Sequence, residues 1–410
     1  MSTVKIEKQV REIENGHILS PEGFKASGVY TGVKRKRLDL GAIVCEVPAA
    51  TAAVYTLNKI QAAPLQVTKE SIAKEGKIKA LIVNSGNANA CTGKQGLQDA
   101  YEMRSLGAKK FECPEHLVAV TSTGVIGEYL QMDKIRAGID LLSPKQSFLD
   151  AEQFNEAILT TDTTKKMACY ETTVDGVSVK IGGVAKGSGM IHPNMATMLS
   201  FVTTDANIDS AQLQSALSSI TNKTFNRITV DGDTSTNDMA VVMASALAKH
   251  EPLTPEHPDW SGFYEALELT CESLSKQIAK DGEGATKLIE VIVAGALDDQ
   301  EAGMVAKQIV GSDLVKSAVY GTDANWGRII CAIGYSGCEI NPDTIDISLG
   351  SINTLKESSP VSFSEEEATT YLKNDVVQIF VDLHVGNGFG KAWGCDLTYD
   401  YVRINAGYRT

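Results

Sequence analysis

The spacing of apolar residues along the chain predicts strands in several places. Val177, Val179 and Ile181 alternate with polar neighbours, which is the period-two pattern of a half-buried strand. Five further stretches show alternation or a short apolar run of the same kind: 80–83, 117–120, 198–202, 288–293 and 377–385. These stretches are separated by glycine-rich or polar segments, so we predict short strands rather than one continuous apolar element.

Two amphipathic helices are predicted between these strands. The first follows Asp209 or Ser210, either of which can cap a helix. The second has apolar residues at i, i+4, i+7 and i+11 and ends at 281–282, where a glycine follows an aspartate. Their apolar faces are formed by Leu213, Leu217 and Ile220 in the first, and by Leu267, Cys271, Leu274 and Ile278 in the second.

Long helices mixed with alternating strands indicate a layered α+β fold rather than a purely parallel sheet. A length of 410 residues favours two or three domains. The glycine-containing break at 281–286 separates the second helix from the next strand, and we place the domain boundary there, between residues 283 and 284.

Composition narrows the range of partners. The chain is 43% hydrophobic and 22% charged, with a net charge of −13, which argues against nucleic acid or an anionic membrane as the main partner. No apolar run approaches the roughly 20 residues that span a bilayer. The first 16 residues mix lysine, arginine and glutamate, unlike a signal or transit peptide. We therefore expect a cytoplasmic protein.

No cofactor or metal site is expected. The eight cysteines include no CxxC pair and no histidine cluster near Cys331 and Cys338, so zinc is not expected and the thiols are predicted to be reduced and structural. Asp231, Asp233 and Asp238 lack the glycine and glutamate positions of a calcium loop, so this segment is predicted to be a turn without a metal.

The most unusual stretch is 185–199, where two glycines bracket Ser188 and a proline follows. Glycine permits close backbone approach and conformations that other residues avoid. The order Lys-Gly-Ser before a strand does not match a phosphate-binding loop, which needs Gly-Lys-Ser/Thr before a helix. Alone, the stretch predicts a tight turn between two strands.

The run KGSGMIHPNMATMLSF at 186–201 resembles the signature of the ornithine acetyltransferase family, the glutamate N-acetyltransferases of the cyclic arginine pathway. Other segments resemble that family in the same order along nearly the whole chain. They are NSGNANACTG (84–93), TSTGVIGEYL (121–130), TTDTTKK (160–166), DGDTSTND (231–238), YGTDANWGRI (320–329) and YVRINAGYRT (401–410).

The resemblance implies an αββα sandwich, similar to N-terminal-nucleophile hydrolases but distinct in topology, in residues 1–283. A smaller C-terminal α/β domain, 284–410, would return its end to the active site. The chain would cut itself between Ala196 and Thr197 into 1–196 and 197–410. Thr197 would then carry both the nucleophilic hydroxyl and its base, because a free α-amino group titrates near neutrality.

The resemblance also implies roles for individual residues. Thr123 and Gly124 would form the oxyanion hole that acyl transfer requires. Six residues would contact substrate: Thr163, Lys186, Thr197, Glu283, Asn405 and Thr410. Thr160 and Thr161 lie in the same run as Thr163, so the choice among these threonines stays open.

The implied reaction is ping-pong transfer of acetyl from N-acetylornithine to glutamate, with an acetyl-threonine intermediate. Whether acetyl-CoA also serves as a donor stays open. The family implies an α2β2 heterotetramer of the cleaved chains. Two alternatives remain: an N-terminal-nucleophile amidohydrolase or aminopeptidase of similar fold, and a small-molecule-binding protein without activity.

Overall fold

The computed structural model describes residues 10–192 and 198–407 of the chain. Within these residues it contains sixteen strands, eleven helices and two 3-10 helices, the latter at Glu115–Leu117 and Phe225–Arg227.

The strands are β1 (Val10–Glu12), β2 (Phe24–Val29), β3 (Leu40–Tyr55), β4 (Lys77–Asn87), β5 (Val118–Val125), β6 (Lys166–Val174), β7 (Val177–Lys186), β8 (Leu199–Thr204), β9 (Ile228–Thr229), β10 (Met239–Ala244), β11 (Leu288–Ala296), β12 (Asp346–Leu349), β13 (Ile352–Lys356), β14 (Ser359–Pro360), β15 (Val376–Asp382) and β16 (Gly388–Cys395).

The helices are α1 (Ala63–Glu75), α2 (Gly93–Lys110), α3 (Met132–Leu141), α4 (Phe148–Ile158), α5 (Ser210–Lys223), α6 (Trp260–Lys280), α7 (Asp299–Gly311), α8 (Asp313–Tyr320), α9 (Trp326–Gly334), α10 (Glu365–Tyr371) and α11 (Tyr399–Gly407).

The first sheet has nine strands in the order β1-β6-β7-β8-β10-β3-β4-β5, with β2 also paired to β3. The long strand β3 belongs to both halves of this sheet. Its beginning pairs with β4 and its end pairs with β10, and the register shifts between Val44 and Ala49. A shift of this kind bends a strand, so the two halves of the sheet face each other.

Alternating residues sort onto the two faces of each half. Leu81 of β4 and Met239 of β10 lie in one buried cluster, which fills the space between the halves. Ile82 of β4 clusters instead with residues of α2 and α3, and Val242 of β10 clusters with residues of α5 and α6. The layers therefore run helix, sheet, sheet, helix, and the predicted αββα sandwich is confirmed.

The second sheet has the order β14-β13-β12-β15-β11-β16-β9. Its buried cluster includes Val291, Ile379 and residues of α7, α8 and α9, which gives the expected α/β unit. One strand comes from the first part of the chain, because β9 pairs with β16 through Ile228 and Trp393. The boundary between residues 283 and 284 remains a prediction.

Local predictions can be compared directly with these elements. Asp209 caps α5 by accepting a hydrogen bond from the Gln212 amide at 2.8 Å, and α6 ends at Lys280. The predicted strand over 377–385 is too long. Strand β15 ends at Asp382, because His384 has a φ of 51° and the chain turns there. None of the helices in the described residues has the length and apolar character that crossing a membrane would require.

Candidate active site

A cavity of about 100 Å³ lies where β5 and β7 end and where β8 and β10 begin. Five residues predicted from the sequence line it: Thr123, Gly124, Lys186, Glu283 and Asn405. Met198 lines it too, and this residue is covalently joined to Thr197. The sandwich and the C-terminal part of the chain thus contribute to one site.

The end of β5 supplies Thr123 and Gly124, the residues that the sequence resemblance predicts for an oxyanion hole and that we call the oxyanion pair. Thr123 is 5% exposed and lies opposite Ser85 of the parallel strand β4. Gly124 has a φ of 133°, and a Cβ at this position would lie 2.3 Å from the carbonyl carbon of Gly86. Only glycine therefore fits here, and β5 can approach β4 closely at the cavity.

Lys186 is the last residue of β7 and is buried. The next residue, Gly187, donates its amide to Asp162 at 2.6 Å. Burial opposes ionisation of Asp162, but the nearby Lys166 and Lys186 ammonium groups hold the pKa of this carboxyl below its ordinary value. Lys186 thus lies at the cavity because β7 ends there, and the carboxylate of Asp162 partly balances its charge.

Lys166, Asp162 and Asp281 form a buried ion-pair cluster behind the cavity. The Lys166 ammonium lies 2.7 Å from Asp162 and 2.5 Å from Asp281. Asp281 also accepts hydrogen bonds from the amide and the hydroxyl of Thr163, while its own carbonyl accepts from the Ser188 hydroxyl at 2.7 Å. The cluster therefore connects the 160–166 loop, the glycine-containing stretch that follows Lys186, and the end of α6.

Glu283 and Asn405 form the side of the cavity that comes from the C-terminal part. Asn405, in α11, donates its side-chain amide to Glu283 at 2.9 Å. The Glu283 amide in turn donates to the Ser188 carbonyl at 3.0 Å. A Cβ on Gly189 would lie 2.4 Å from the Glu283 carboxyl carbon, so the glycine leaves room for that carboxylate.

The segment 231–238 is hydrogen-bonded to the glycine-containing stretch that follows β7. Asp231 accepts hydrogen bonds from the amides of Met190 and Ile191, at 2.6 and 2.9 Å. The segment 231–238 forms a turn next to the cavity, in agreement with the prediction from the sequence. Its last residue, Asp238, reaches the cavity, and Asn237 lies beside it.

A sequence model of the ArgJ family matches residues 25–410. The chain belongs to the ArgJ family. It is 72% identical over 411 residues to the arginine biosynthesis bifunctional protein ArgJ of Halalkalibacterium halodurans, and 65% identical over 410 residues to the protein of that name from Geobacillus kaustophilus. Both alignments cover all of this chain and all of the relative. The resemblance seen in the sequence motifs is confirmed.

A solved structure of the arginine biosynthesis bifunctional protein ArgJ from Bacillus halodurans is also similar. It matches with 78% identity and a TM-score of 0.51. The match covers 52% of this chain and 100% of the solved chain.

The predicted site residues of this ArgJ-family chain are not all brought together. Thr163 is exposed and its hydroxyl is bound by Asp281, whereas Thr160 and Thr161 line the cavity. Position in the TTDT run did not show which threonine faces inward. Ala196, Thr197 and Thr410 lie outside the described residues.

Sequence reasoning missed two features of the ArgJ-family site. The buried ion-pair cluster was not predicted, because its charges come from distant parts of the chain. Asp238 was predicted only to be part of a turn. The one signal of a functional position was that it comes directly before the apolar run at 239–244, where a side chain can face a site at the end of a strand.

One possible metal site exists among the described residues. Asp175, His257 and Asp259 place one ligand atom each within 4.8 Å of one another. Asp259 accepts the Asp175 amide at 2.9 Å, and Asp175 accepts the Glu251 amide at 3.1 Å. These three residues do not line the cavity. The expectation that the enzyme needs no metal or cofactor remains a prediction.

His192 of the motif faces a second, larger cleft of about 930 Å³. Its Nδ1 lies 3.0 Å from the Thr229 hydroxyl. Burial, together with the nearby Lys307, lowers the pKa of His192 to about 4, so it is a neutral imidazole at neutral pH. His192 does not line the cavity that contains the oxyanion pair.

Proposed function

We propose that this enzyme transfers the acetyl group of N2-acetyl-L-ornithine to L-glutamate through an acetyl ester on Thr197. Family membership makes the chain an acetyltransferase of arginine biosynthesis. One observation carries the specific proposal: the oxyanion pair, a buried lysine and a buried glutamate meet around one cavity beside Met198, the residue that follows Thr197.

The first half-reaction forms the acetyl-enzyme. The Thr197 hydroxyl attacks the acetyl carbonyl, and the α-amine of the same residue takes the hydroxyl proton. Such an amine has a pKa of about 7.7–8.0 and is therefore a competent base near neutral pH. The oxyanion pair stabilises the negative oxygen that develops. The bond between the acetyl carbon and the α-nitrogen then breaks, the Thr197 amine passes its proton to that nitrogen, and ornithine leaves.

Substrate recognition uses the charges that line the cavity. Lys186 binds the α-carboxylate, which N-acetylornithine and glutamate share. Glu283 receives the δ-ammonium of the ornithine side chain. The Asn405 amide, 2.9 Å from Glu283, is a donor that can serve the side-chain carboxylate when glutamate is bound. Glutamate then attacks the ester and leaves as N-acetyl-L-glutamate.

Self-cleavage between Ala196 and Thr197 prepares the nucleophile, since the α-amine does not exist before the cut. The size of the Bacillus halodurans chain supports this step. All of that chain aligns with 52% of this one, and residues 197–410 make up the same share of the sequence.

A second reaction is favoured by the word bifunctional in the names of the relatives. We assign acetyl-CoA as an alternative acetyl donor, which would acetylate Thr197 and supply N-acetylglutamate afresh. We further propose that the processed chains form an α2β2 heterotetramer in the cytoplasm.

The test is an assay with N-acetylornithine and labelled glutamate. Label in N-acetylglutamate, together with stoichiometric ornithine, is the expected result. Release of acetate without labelled product would favour the amidohydrolase alternative, and ligand binding by a single uncut chain would favour a binding protein. Acetyl-CoA and glutamate without N-acetylornithine then test the second donor.

A further inference from the structure

Asp238 is the last residue of the 231–238 segment, and the proposed reaction gives it no role. It is 3% exposed and lines the cavity. Its Oδ2 atom is buried and has no hydrogen-bond partner among the described residues. Buried polar groups almost always have a partner, and an unpaired one is costly, so this oxygen requires an explanation.

The chain on either side of Asp238 is held in place by hydrogen bonds of its neighbours. Asn237 donates its side-chain amide to the Ser122 carbonyl of β5, directly before the oxyanion pair. Ser235 donates its hydroxyl to Asn237 at 2.9 Å. On the other side, the Met239 amide donates to the Met198 carbonyl at 2.9 Å. Asp238 is therefore held between the oxyanion pair and the strand that follows Thr197.

Two charged groups share the cavity with Asp238, the ammonium of Lys186 and the carboxylate of Glu283. Burial raises the pKa of Asp238 well above its ordinary value, and Lys186 opposes this only in part. Burial therefore favours the protonated form of this carboxyl, whereas a further cation placed beside it favours the charged form.

The substrate supplies such a cation at one position. This step rests on the proposed function, in which Lys186 binds the α-carboxylate and Glu283 the side chain, while the α-nitrogen has no receptor. That nitrogen is an amide N–H in N-acetylornithine and an ammonium in glutamate, so it is a hydrogen-bond donor in both. An unpaired, buried carboxyl oxygen is a matching acceptor.

We propose that Asp238 binds the α-nitrogen of the substrate amino acid and takes from glutamate the proton that must leave before this nitrogen can attack. Binding of the ammonium displaces the resting proton of Asp238 to solvent and leaves a carboxylate.

The proton balance closes over one cycle. The bound ammonium of glutamate passes one proton to Asp238, and its lone pair forms the bond to the acetyl carbon. The bond between that carbon and Thr197 Oγ breaks, and Oγ receives the second proton of the nitrogen through the Thr197 amine. In the other half-reaction Asp238 returns its proton to the departing amine of ornithine, which leaves as an ammonium.

The first test uses Asp238→Asn, which keeps the shape of the side chain but cannot accept a proton. The acetyl-enzyme is formed and then treated at pH 7 with glutamate or with hydroxylamine, whose nitrogen is largely unprotonated at that pH. We expect the rate with glutamate to fall by about 100-fold, the lower range for loss of a general base. The rate with hydroxylamine should stay close to that of the wild-type enzyme.

Raising the pH should restore the rate of the variant with glutamate, because solvent then removes the proton that Asp238 no longer takes. Asp233→Asn is the matched control, since Asp233 lies exposed in the same segment and should leave both rates unchanged. Equal slowing with both nucleophiles, or no slowing with either, would overturn the assignment.

A second test needs only the wild-type enzyme and so does not depend on how the variant folds or is cleaved. The heat of ornithine binding is measured at pH 7 in two buffers with different ionisation enthalpies. We expect protons to be released when ornithine binds, because the ammonium favours the charged form of Asp238. Binding without proton release would refute the proposal. If the wild-type enzyme forms no acetyl-enzyme at all, the proposed function fails instead.

Discussion

Lys166→Met removes the ammonium group that two buried carboxylates share. Lys166 and Asp162 are both 0% exposed, and Asp281 is 6% exposed. Removing one partner of a buried ion pair costs about 3–5 kcal/mol, because the remaining charge stays buried without compensation. Asp162 keeps the Gly187 amide as a donor, so we expect a loss of unfolding free energy within this range rather than twice as large.

The pH dependence of this loss has a definite sign. Despite its burial, Asp162 has a lowered pKa because of Lys166 and Lys186. A carboxyl of this kind adds stability above its unfolded pKa of about 3.9 and loses it as the pH falls through its folded pKa. Without Lys166 the pKa of Asp162 rises, so mild acid neutralises the buried charge in the variant. The difference in unfolding free energy between variant and wild type should therefore become smaller as the pH is lowered from 7 towards 5.

Urea unfolding of both proteins at pH 7 and pH 5 measures this difference. Lys165→Met is the matched control, because Lys165 pairs with Glu152 at 2.5 Å where both side chains are partly exposed, 34% and 22%. Such a pair contributes about 0–1 kcal/mol. If Lys166→Met destabilises no more than Lys165→Met, or by an amount independent of pH, the account of the buried cluster is wrong.

Three further predictions concern catalysis directly. Thr197→Ala should abolish both processing and acetyl transfer, and two separate chains of that variant on a denaturing gel would contradict the proposed cleavage. Gly124→Ala should lower kcat by about 100- to 1,000-fold, as loss of an oxyanion donor does, because its Cβ would lie 2.3 Å from Gly86; an unchanged initial rate would count against this position. Glu283→Gln should raise the KM for N-acetylornithine by about tenfold or more, since a charge-assisted hydrogen bond contributes about 1.5–3 kcal/mol; steady-state kinetics that show an unchanged KM would remove Glu283 from substrate binding.

The six predicted apolar stretches correspond to β4, β5, β7, β8, β11 and β15, but they do not show how the first sheet folds back. Met239 and Val242 read as parts of one apolar run, and only the structure shows that they face different cores. The bend itself depends on the register shift in β3, which contains Pro48. Proline inside a strand favours a bulge or an edge, so a signal existed, but it does not specify which strands pair on either side.

Most of the described residues that the motifs pointed to line the cavity, whereas the residues that support them were not predicted. Lys166 and Asp281 are 115 residues apart in the chain. Charged residues are usually solvated, so neither the sign nor the spacing of these two indicated burial. The threonines of the 160–163 run illustrate the same point over a short distance. Which of them faces the cavity depends on which hydroxyl the distant Asp281 binds, and in the structure that is Thr163.

The buried cluster connects stability with substrate binding. Asp162 holds the Gly187 amide next to Lys186, and Asp281 lies two residues before Glu283 and binds Ser188. The Lys166 ammonium thus holds Asp162 and Asp281 in place. These two residues in turn position Lys186 and Glu283, the proposed substrate-binding charges. Lys166→Met should therefore reduce unfolding free energy and raise KM together, whereas Glu283→Gln should raise KM with little loss of stability. A Lys166→Met enzyme with lowered stability but unchanged KM would show that the cluster supports the fold without positioning the site.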